Sequence, residues 1–242
     1  MSPPRFFLDQ PLAPGARLAL PAGPARHAAR ALRLGVGDPV TLFNGGGGEF
    51  AAHIERIVKD EVAVRITDFV DVERESRLQV LLAQGISSGE RMDYTLQKAV
   101  ELGVAAIQPI AARRSVVKLA GERADRRVQH WQGVVASACE QCGRNRVPHV
   151  ATPLSLAAWL GQPRTGRLLF LSPLAETRLA DLAPPAGTDC LVAGPEGGFE
   201  ADEIAALHAA GATPVRLGPR VLRTETAAVA ALAALQTLWG DF

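Results

Sequence analysis

The chain of 242 residues is poor in the residue types that mark several classes of protein. Its 3 cysteines are an odd number, which argues against a disulfide framework and fits a reducing compartment. No stretch reaches the ~18 uncharged apolar residues that a membrane-spanning helix needs. The first residues, MSPPRFFLDQ, lack the charged segment and the following apolar segment of a signal peptide. We therefore expect a cytoplasmic protein with no membrane partner.

An excess of charge of either sign is also missing. The sequence has 26 Lys and Arg against 25 Asp and Glu, which gives a net charge of +1. This balance excludes an acidic tail and a uniformly basic nucleic-acid binder, although it is compatible with a basic patch on one face. Hydrophobic residues make up 48% of the chain, which is enough for one large core or two smaller ones.

Residues 1–72 are predicted to form a small β-rich domain. Short apolar and β-branched runs predict strands at residues 17–20, 39–43, 49–57 and 61–69, with a hairpin turn at 58–60. One helix is predicted over 24–34, because Pro24 suits a first helical position and Gly35 suits a helix end.

In residues 73–242, predicted strands alternate with predicted helices. Strands are predicted at 78–84, 105–110, 167–171, 189–193 and 214–217. Helices are predicted at 91–102, 122–142, 201–210 and 224–239. This alternation indicates an α/β domain with a mostly parallel sheet. The charged segment 71–76 separates the two parts of the chain.

One motif resembles a hydrolase signature. Residues 85–89 (GISSG) match the G-x-S-x-G elbow and lie between a predicted strand and a predicted helix. Such an enzyme also needs a later acid and then a later histidine, and the last histidine, His208, has no strand end before it. A flexible loop is therefore the favoured interpretation.

Two further motifs suggest phosphate or metal binding. Residues 44–48 (NGGGG) could cradle a phosphate only if they opened a helix, and a strand is predicted there, so a hairpin turn is favoured. Cys139 and Cys142 form a CxxC pair, but a structural zinc site needs four ligands. Cys190 lies alone in a predicted strand, and His149 is the remaining candidate. We expect no metal site.

The last third of the chain holds two glycine-containing loops, each after an apolar strand. They are residues 191–198 (LVAGPEGG) and 215–226 (VRLGPRVLRTET). In a parallel sheet both lie at the carboxyl ends of strands, where open α/β sheets bind ligands. Glycines let the backbone approach a flat ligand, and Pro195 and Pro219 stiffen the loops, so they suit an adenine bound by main-chain hydrogen bonds. Neither loop has the Lys-Ser/Thr pair of a triphosphate-binding loop.

Four segments carry a resemblance to a known family: residues 91–104, 138–148, 194–198 and 217–227. Over its whole length the chain resembles the bacterial 16S rRNA (uracil-N3)-methyltransferase family of the SPOUT superfamily. The Leu-Gly-x-Arg-x-Leu-Arg-x-Glu-Thr pattern of the last segment is highly specific for that family. The Gly-Pro-Glu-Gly-Gly loop is shared more widely among SPOUT enzymes.

The resemblance implies a fold, a cofactor and a partner. The fold is α/β, with a SPOUT-type methyltransferase domain and a C-terminal trefoil knot at 73–242, preceded by a small PUA-like, RNA-binding β-barrel at 1–72. The cofactor is S-adenosyl-L-methionine, and the protein is a homodimer. The partner is 16S rRNA in the assembled small ribosomal subunit, where one uridine near the decoding centre is methylated at N3. Knotted chains are so rare that the knot depends on the resemblance alone.

The predicted cofactor-binding residues lie at strand ends and in the two loops. They are Leu171, Ala193, Gly194, Pro195, Glu196, Gly198, Leu217, Gly218, Val221, Leu222 and Thr226. Methyl transfer to N3 is a displacement at carbon, and the N3 proton must leave, so a base or a cation that stabilises the anion is required. The predicted catalytic residues are Arg114, Glu140, Arg144, Arg223 and Glu225. The sequence does not identify the base.

Glu140 and Arg144 lie four residues apart on a predicted helix. This spacing suits an ordinary surface ion pair as well as an active-site pair. The family motif includes both residues.

Local charge predicts the RNA-binding surface. Residues 113–127 carry six cations and two acids. Arg26, Arg30 and Arg33, spaced four and three residues apart, share one face of the predicted first helix. The predicted RNA-binding residues are Arg26, Arg30, Arg33, Arg91, Arg113, Lys118, Arg123, Arg126 and Arg127.

Three other functions stay open at this point. A SPOUT methyltransferase for another RNA, such as tRNA, would modify a different substrate. A noncatalytic RNA-binding ribosome factor would bind subunits without releasing S-adenosylhomocysteine. The hydrolase would use Ser87 as its nucleophile and cleave an ester.

Overall fold

The computed structural model of the protein describes residues 2–115 and 121–242 and divides into two units. Unit 1 comprises the residues up to Glu75 together with Cys139–Val147, and unit 2 comprises Ser76–Ala138 and Pro148–Phe242. The sequence places the division slightly earlier, after residue 72, and assigns the 139–147 segment to the second domain. Local sequence patterns do not show that residues 139–147 pack with the first unit, because this segment lies far from it along the chain.

Unit 1 contains a sheet with the strand order β1-β3-β4-β5-β2. The strands are β1 (Arg5–Phe7), β2 (Arg17–Ala19), β3 (Pro39–Phe43), β4 (Glu49–Val58) and β5 (Glu61–Val70). β1 pairs with β3 in parallel, and the other neighbouring strands are antiparallel. Burial alternates along most of β4, so one face of the sheet packs on an apolar core that includes Phe6, Leu42, Ile54 and Val64.

Both hairpin turns predicted in unit 1 are confirmed. Residues 44–48 connect β3 to β4, which pair antiparallel. Lys59 and Asp60 connect β4 to β5, and Lys59 has a φ of 57°, in the left-handed region that tight turns use. The glycine-rich segment therefore turns a hairpin and does not open a helix.

The helix of unit 1 is shorter than the sequence predicts. α1 (Ala22–Arg26) continues into a π-helical turn, His27–Ala31, and then ends. Arg33 has a φ of 53°, so it lies beyond the helix in the left-handed conformation. The prediction that Arg33 shares a helical face with Arg26 and Arg30 was wrong, because the wider π turn changes the spacing of side chains and the helix stops before Arg33.

Unit 2 is built on a parallel sheet with the strand order β12-β10-β11-β6-β7-β8, and β9 also pairs with β7. The strands are β6 (Val80–Gly85), β7 (Ala106–Ala111), β8 (His149–Val150), β9 (Leu154–Ser155), β10 (Arg167–Leu171), β11 (Asp189–Ala193) and β12 (Thr213–Val215). The helices are α2 (Gly89–Glu101), α3 (Glu122–Cys142), α4 (Leu156–Leu160), α5 (Ala201–Ala209) and α6 (Thr224–Trp239), with a short 3-10 turn at Leu179–Asp181. The last turn of α3 groups with unit 1.

The alternation of strands and helices in unit 2 confirms the α/β prediction. Each strand and helix predicted there is present, with its ends within two residues of the prediction. β8, β9 and α4 were not predicted, because they are too short to show a hydrophobic period. Among the described residues, no helix has both the length and the apolar character to span a membrane.

Candidate active site

Four neighbouring strands of unit 2 end at the same edge of the sheet. β12, β10, β11 and β6 are consecutive in the strand order, and each neighbouring pair is parallel. The segments that follow these strands therefore meet at one edge. Three of these segments matter for the site: residues 172–174 after β10, 194–199 after β11 and 217–223 after β12. The last of them leads into α6.

A cavity of about 450 Å³ lies at this edge. Its volume falls within the range of about 300–1,000 Å³ that is usual for small-molecule sites. The walls come from the three loops, the start of α6, Arg91 of α2 and Arg114 after β7. The apolar part of the lining is Phe170, Leu171, Leu174, Phe199, Ile204, Val215, Leu217, Val221 and Leu222.

Glu196 ties the loop after β11 to the start of α2. Its Oε1 accepts hydrogen bonds from the Ser88 backbone N–H at 2.8 Å, the Ser88 hydroxyl at 2.9 Å and the Arg91 guanidinium at 3.3 Å. Burial raises the pKa of Glu196, but these hydrogen bonds outweigh burial, so the pKa lies below its ordinary value. The carboxyl group is therefore ionised at neutral pH and holds the loop in place.

The segment after β7 is locked to the same loop. Arg114 donates a hydrogen bond to the Gly197 carbonyl at 3.2 Å, and a Cβ at Gly197 would lie 2.8 Å from the Arg114 Cβ. The Arg113 backbone N–H donates to Glu203 Oε1 at 3.0 Å, while Glu203 Oε2 accepts from the Glu200 N–H at 2.9 Å at the start of α5. The cavity loop therefore has fixed neighbours on both sides.

Thr224, the first residue of α6, connects the two glycine-containing loops. Its hydroxyl donates to the Gly194 carbonyl at 2.5 Å and accepts from Gln84 Nε2 at 3.0 Å. Thr224 is buried, and Gln84 has no exposed surface. The start of α6 is thus held against the loop after β11.

Two carboxylate oxygens beside the cavity have no hydrogen-bond partner among the described residues. They are Glu196 Oε2 and Glu225 Oε2; both atoms are buried, and both side chains line the cavity. Burying a carboxylate oxygen without a donor is costly, so a ligand with cationic or hydrogen-bond donating groups would stabilise both. Together with the apolar walls, these oxygens suit a small organic cation with a flat apolar part.

Comparison with known proteins finds two domain families that match this chain. Residues 74–236 match the RNA methyltransferase domain family, and residues 24–67 match the RNA methyltransferase PUA domain family. Ribosomal RNA small subunit methyltransferase E of Buchnera aphidicola is 31% identical, over 99% of this chain and 95% of the relative. The Mycobacterium bovis protein of the same name is 34% identical, over 96% of this chain and 91% of the relative.

The chain belongs to the ribosomal RNA small subunit methyltransferase E family.

Two solved structures extend the match to three dimensions. Ribosomal RNA small subunit methyltransferase E of Neisseria gonorrhoeae, bound to S-adenosylmethionine, has a TM-score of 0.91 and 42% identity, and the match covers 100% of both chains. A Legionella pneumophila protein solved with bound S-adenosylmethionine has a TM-score of 0.96 and 40% identity, again over 100% of both chains. The predicted fold class of a PUA domain and a SPOUT-type α/β methyltransferase domain is confirmed. The trefoil knot stays a prediction.

The cavity of this methyltransferase gathers almost all of the predicted cofactor-binding residues. Leu171, Ala193, Gly194, Pro195, Glu196, Gly198, Leu217, Gly218, Val221 and Leu222 line it. Thr226 is exposed and is not part of the lining, whereas Thr224 is buried there. Residues two apart on a helix point in different directions, which explains why one threonine lines the cavity and the other does not. The binding roles themselves stay predictions.

The predicted catalytic residues fall into two groups. Arg114, Arg223 and Glu225 line the cavity. Glu140 and Arg144 belong to unit 1 and are not part of the lining. Glu140 accepts a hydrogen bond from the Phe7 N–H at 2.8 Å, and burial raises the pKa of Glu140 above its ordinary value in spite of that bond.

Arg144 has structural contacts within unit 1. It is 5% exposed and pairs with Glu75 at 2.5 Å. The prediction that Arg144 shares a helical face with Glu140 was wrong, because α3 ends at Cys142 and Gly143 has a φ of 89°. A glycine in this left-handed conformation ends a helix. The catalytic roles of Glu140 and Arg144 remain predictions.

The predicted RNA-binding cations are only partly available to RNA. Four of them pair with acids: Arg30 with Asp60, Arg91 with Glu196, Arg113 with Glu200 and Asp202, and Arg126 with Glu122. Within the ranges that the structure describes, no ion pair involves the remaining four: Arg26, Arg33, Arg123 and Arg127. Lys118 lies outside the described residues. The count of charges along residues 113–127 does not include Glu200 and Asp202. These acids pair with Arg113 but lie far from it in the sequence.

The hydrolase and CxxC motifs have structural roles. Ser87 is 2% exposed, and its hydroxyl donates to Met92 Sδ at 3.9 Å. Cys139 is buried, which raises the pKa of its thiol to about 12, and its Sγ donates to the Arg146 carbonyl at 3.7 Å. At this pKa the thiol is protonated at neutral pH and is a poor metal ligand or nucleophile. Among the described residues, no group of three or more His, Cys, Asp or Glu could hold a metal ion.

Sequence reasoning missed several residues of the cavity. Residues 172–174 directly follow β10, and the rule that ligands bind at strand carboxyl ends applies to them as well. Arg220 lies within the recognised motif and lines the cavity. Thr224 lines the cavity and was also missed. Gln84, which donates to Thr224, was missed as well, although a glutamine at the end of an apolar strand is itself a signal of a buried polar contact.

Proposed function

We propose that this protein transfers the methyl group of S-adenosylmethionine to N3 of one uridine near the decoding centre of 16S rRNA, in the assembled small subunit and in the cytoplasm. The observation that carries the proposal is the cavity at the carboxyl ends of β10, β11 and β12, lined by both glycine-containing loops. Relatives that are 40% and 42% identical hold S-adenosylmethionine in their solved structures.

The described residues fit this cofactor. S-adenosylmethionine has a sulfonium and an ammonium group, both cationic, together with ribose hydroxyls that donate hydrogen bonds. The unpartnered Glu196 Oε2 can accept a hydrogen bond from the ammonium group or from a ribose hydroxyl. Leu171, Leu217 and Leu222 offer apolar walls for the adenine, and the backbone of residues 193–198 offers main-chain polar groups. When bound, the cofactor supplies a methyl group activated by the sulfonium charge.

Arginines at the cavity can stabilise the uracil anion that forms when N3 loses its proton. Arg91 pairs with Glu196 at 3.3 Å, and Arg114 lies 3.7 Å from Glu200. Arg220 and Arg223 also line the cavity but have no ion pair within the described part of the chain. We assign the stabilising role to Arg223, which directly precedes α6, because a cation without an acid partner keeps its full charge for the substrate.

Glu225 is the best-placed proton acceptor. Its Oε2 is buried and has no donor among the described residues, and its backbone belongs to the first turn of α6, two residues from Arg223. A carboxylate can take the N3 proton while a guanidinium that lines the same cavity stabilises the charge on the uracil oxygens. Both groups are held by the rigid start of one helix.

RNA contact outside the cavity is assigned to the cations without acid partners. Arg26 and Arg33 belong to the PUA domain, and Arg123 and Arg127 belong to α3. These side chains can contact phosphates, which position an RNA without reading its sequence. We also propose a homodimer, which is supported by Leu238 and Phe242, exposed by 41% and 65% at the end of the chain.

An Arg223→Ala variant tests the catalytic assignment. Removing one preorganised electrostatic group costs about a hundredfold or more in turnover. We therefore expect the rate of methyl transfer to small ribosomal subunits to fall about a hundredfold, with little change in the affinity for S-adenosylmethionine measured by calorimetry. Undiminished turnover at saturating cofactor would remove Arg223 from the mechanism.

Arg77→Ala is the matched control. Arg77 is an exposed arginine of unit 2 that does not line the cavity. Its turnover should equal that of the wild-type protein. Equal losses in both variants would point to a general effect of surface charge and would contradict a specific role for Arg223.

A further inference from the structure

A buried chain of hydrogen bonds joins three segments around the cavity. Gln84 lies at the end of β6, Gly194 follows β11, and Thr224 begins α6. Gln84 Nε2 donates to Thr224 Oγ1 at 3.0 Å, and Thr224 Oγ1 donates to the Gly194 carbonyl at 2.5 Å. Gln84 is fully buried and Thr224 is 8% exposed, so water does not compete for these groups.

The direction of these hydrogen bonds is fixed by chemistry. A carbonyl oxygen can only accept, so the Thr224 hydroxyl must give its one proton to Gly194. The hydroxyl can then only accept from Gln84, which must present its NH₂ group. The second N–H of that group donates to the Gly85 carbonyl at 3.0 Å. This arrangement leaves Gln84 Oε1 buried without a partner among the described residues.

The Gly194–Pro195 peptide depends on this chain for its orientation. Because residue 195 is proline, this peptide has no N–H, and the Gly194 carbonyl is its single hydrogen-bonding group. Below it, a Cβ at Gly85 would lie 2.4 Å from the Pro195 nitrogen, so the end of β6 packs directly under the loop. Two contacts thus fix the peptide: Gly85 packs against Pro195, and the Thr224 hydroxyl binds the Gly194 carbonyl.

The network leaves Gln84 Oε1 without a partner among the described residues, and this energetic cost indicates a functional role for the network. A buried amide oxygen without a donor destabilises a fold, and an apolar side chain at position 84 would avoid that cost. The segments that the network orders are the ones that line the cavity: Gly194 and Pro195 on one wall, and Thr224 and Glu225 on another. An unpartnered buried group beside a ligand cavity is what a preorganised site retains.

We propose that Gln84 and Thr224 are positioning residues for the cofactor loop. They hold the Gly194–Pro195 peptide in the orientation that binds S-adenosylmethionine, and neither needs to contact the reacting atoms. This inference rests on the proposed function, since it assumes that the cavity binds that cofactor. Loss of the network lowers the fraction of molecules with a binding-competent loop, and the apparent Kd rises by the same factor.

Thr224→Val removes the hydroxyl and keeps the shape of the side chain. We expect the Kd for S-adenosylmethionine, measured by calorimetry, to rise about tenfold, which corresponds to a competent fraction of about one tenth. Thr224→Ser restores the hydroxyl and should restore the affinity. Gln84→Met should weaken binding as well, and the double variant should be no weaker than Thr224→Val alone, because both changes break one chain.

Gln108→Met is a matched control for position 84. Gln108 is a buried glutamine in the neighbouring strand β7, and its Nε2 also donates to the next residue's carbonyl, that of Pro109, at 2.9 Å. Its other hydrogen bond goes to the Thr152 carbonyl, which does not line the cavity. We expect this variant to lose thermal stability without losing affinity for the cofactor.

The outcomes separate this inference from the proposed function. No heat of binding with the wild-type protein would contradict the proposed function. Wild-type binding with unchanged affinity in Thr224→Val and Gln84→Met would overturn the inference and leave the proposed function standing. Equal weakening by Gln108→Met, or no rescue by Thr224→Ser, would show a general effect of stability and would also overturn it.

Discussion

Three buried polar atoms of unit 2 that belong to or contact the walls of the cavity have no hydrogen-bond partner among the described residues. They are Gln84 Oε1, Glu196 Oε2 and Glu225 Oε2. Asp189, which is also fully buried, has both carboxylate oxygens paired with Arg167, at 3.0 Å and 2.7 Å. Arg167 thus satisfies the Asp189 carboxylate within the fold, whereas in the proposed function a ligand satisfies the carboxylate oxygens of the cavity.

Arg167→Ala tests this difference at a single residue. The change leaves the Asp189 carboxylate buried and unpaired, and it also removes the guanidinium that lies 5.1 Å from the centre of the Trp239 ring. Removing one partner of a buried ion pair costs about 3–5 kcal/mol. We expect a loss of this size in the free energy of unfolding, measured by urea denaturation.

Arg178→Ala is the control for that measurement. Arg178 pairs with Asp181, and both side chains are largely exposed, so water replaces the lost partner. Stability should change little. A similar loss in the two variants would contradict a special role for burial at Asp189.

Secondary elements show what the sequence could and could not predict. The strands and helices of unit 2 have clear periodicity, and the expected parallel order predicts that both glycine-containing loops lie at one edge of the sheet, as the structure has them. Periodicity does not predict which distant segments of the chain contact each other. The pairing of Arg113 with Glu200, and the grouping of Glu140 with unit 1, depend on tertiary packing that spacing along the chain does not encode.

Gly85→Ala tests how closely the elements pack at the cavity. A Cβ at this position would lie 2.4 Å from the Pro195 nitrogen, so the loop after β11 has to move. Overpacking of this kind costs about 1–3 kcal/mol. We expect a lower melting temperature together with weaker binding of S-adenosylmethionine, since the displaced loop forms a wall of the cavity.

Gly133→Ala provides the comparison. Gly133 lies within α3, and a Cβ there meets nothing within 4 Å. Alanine in a helix interior is more stable than glycine by about 0.5–1 kcal/mol. The melting temperature should rise and cofactor affinity should stay constant, so weaker binding in Gly133→Ala would argue against the steric explanation.

At the scale of the whole molecule, the near-zero net charge conceals an uneven pairing of charges. Of 26 cations and 25 acids, many are matched in ion pairs between residues far apart in the sequence, such as Arg5 with Glu49 and Arg144 with Glu75. The balance of the whole chain therefore does not describe the charge of any one surface. In the proposed account, the cations without acid partners provide general attraction, and the cavity provides selectivity for one nucleotide.

We propose that this protein methylates N3 of one uridine in 16S rRNA within the small subunit, and the products of the reaction test this directly. Subunits that lack the modification are incubated with the protein and S-adenosylmethionine, and 16S rRNA is then digested and mapped by mass spectrometry of its nucleosides. We expect one 3-methyluridine, located near the decoding centre, that is absent when the protein is omitted. No added methyl group, or a methyl group on another atom or at another nucleotide of 16S rRNA, would contradict this proposal.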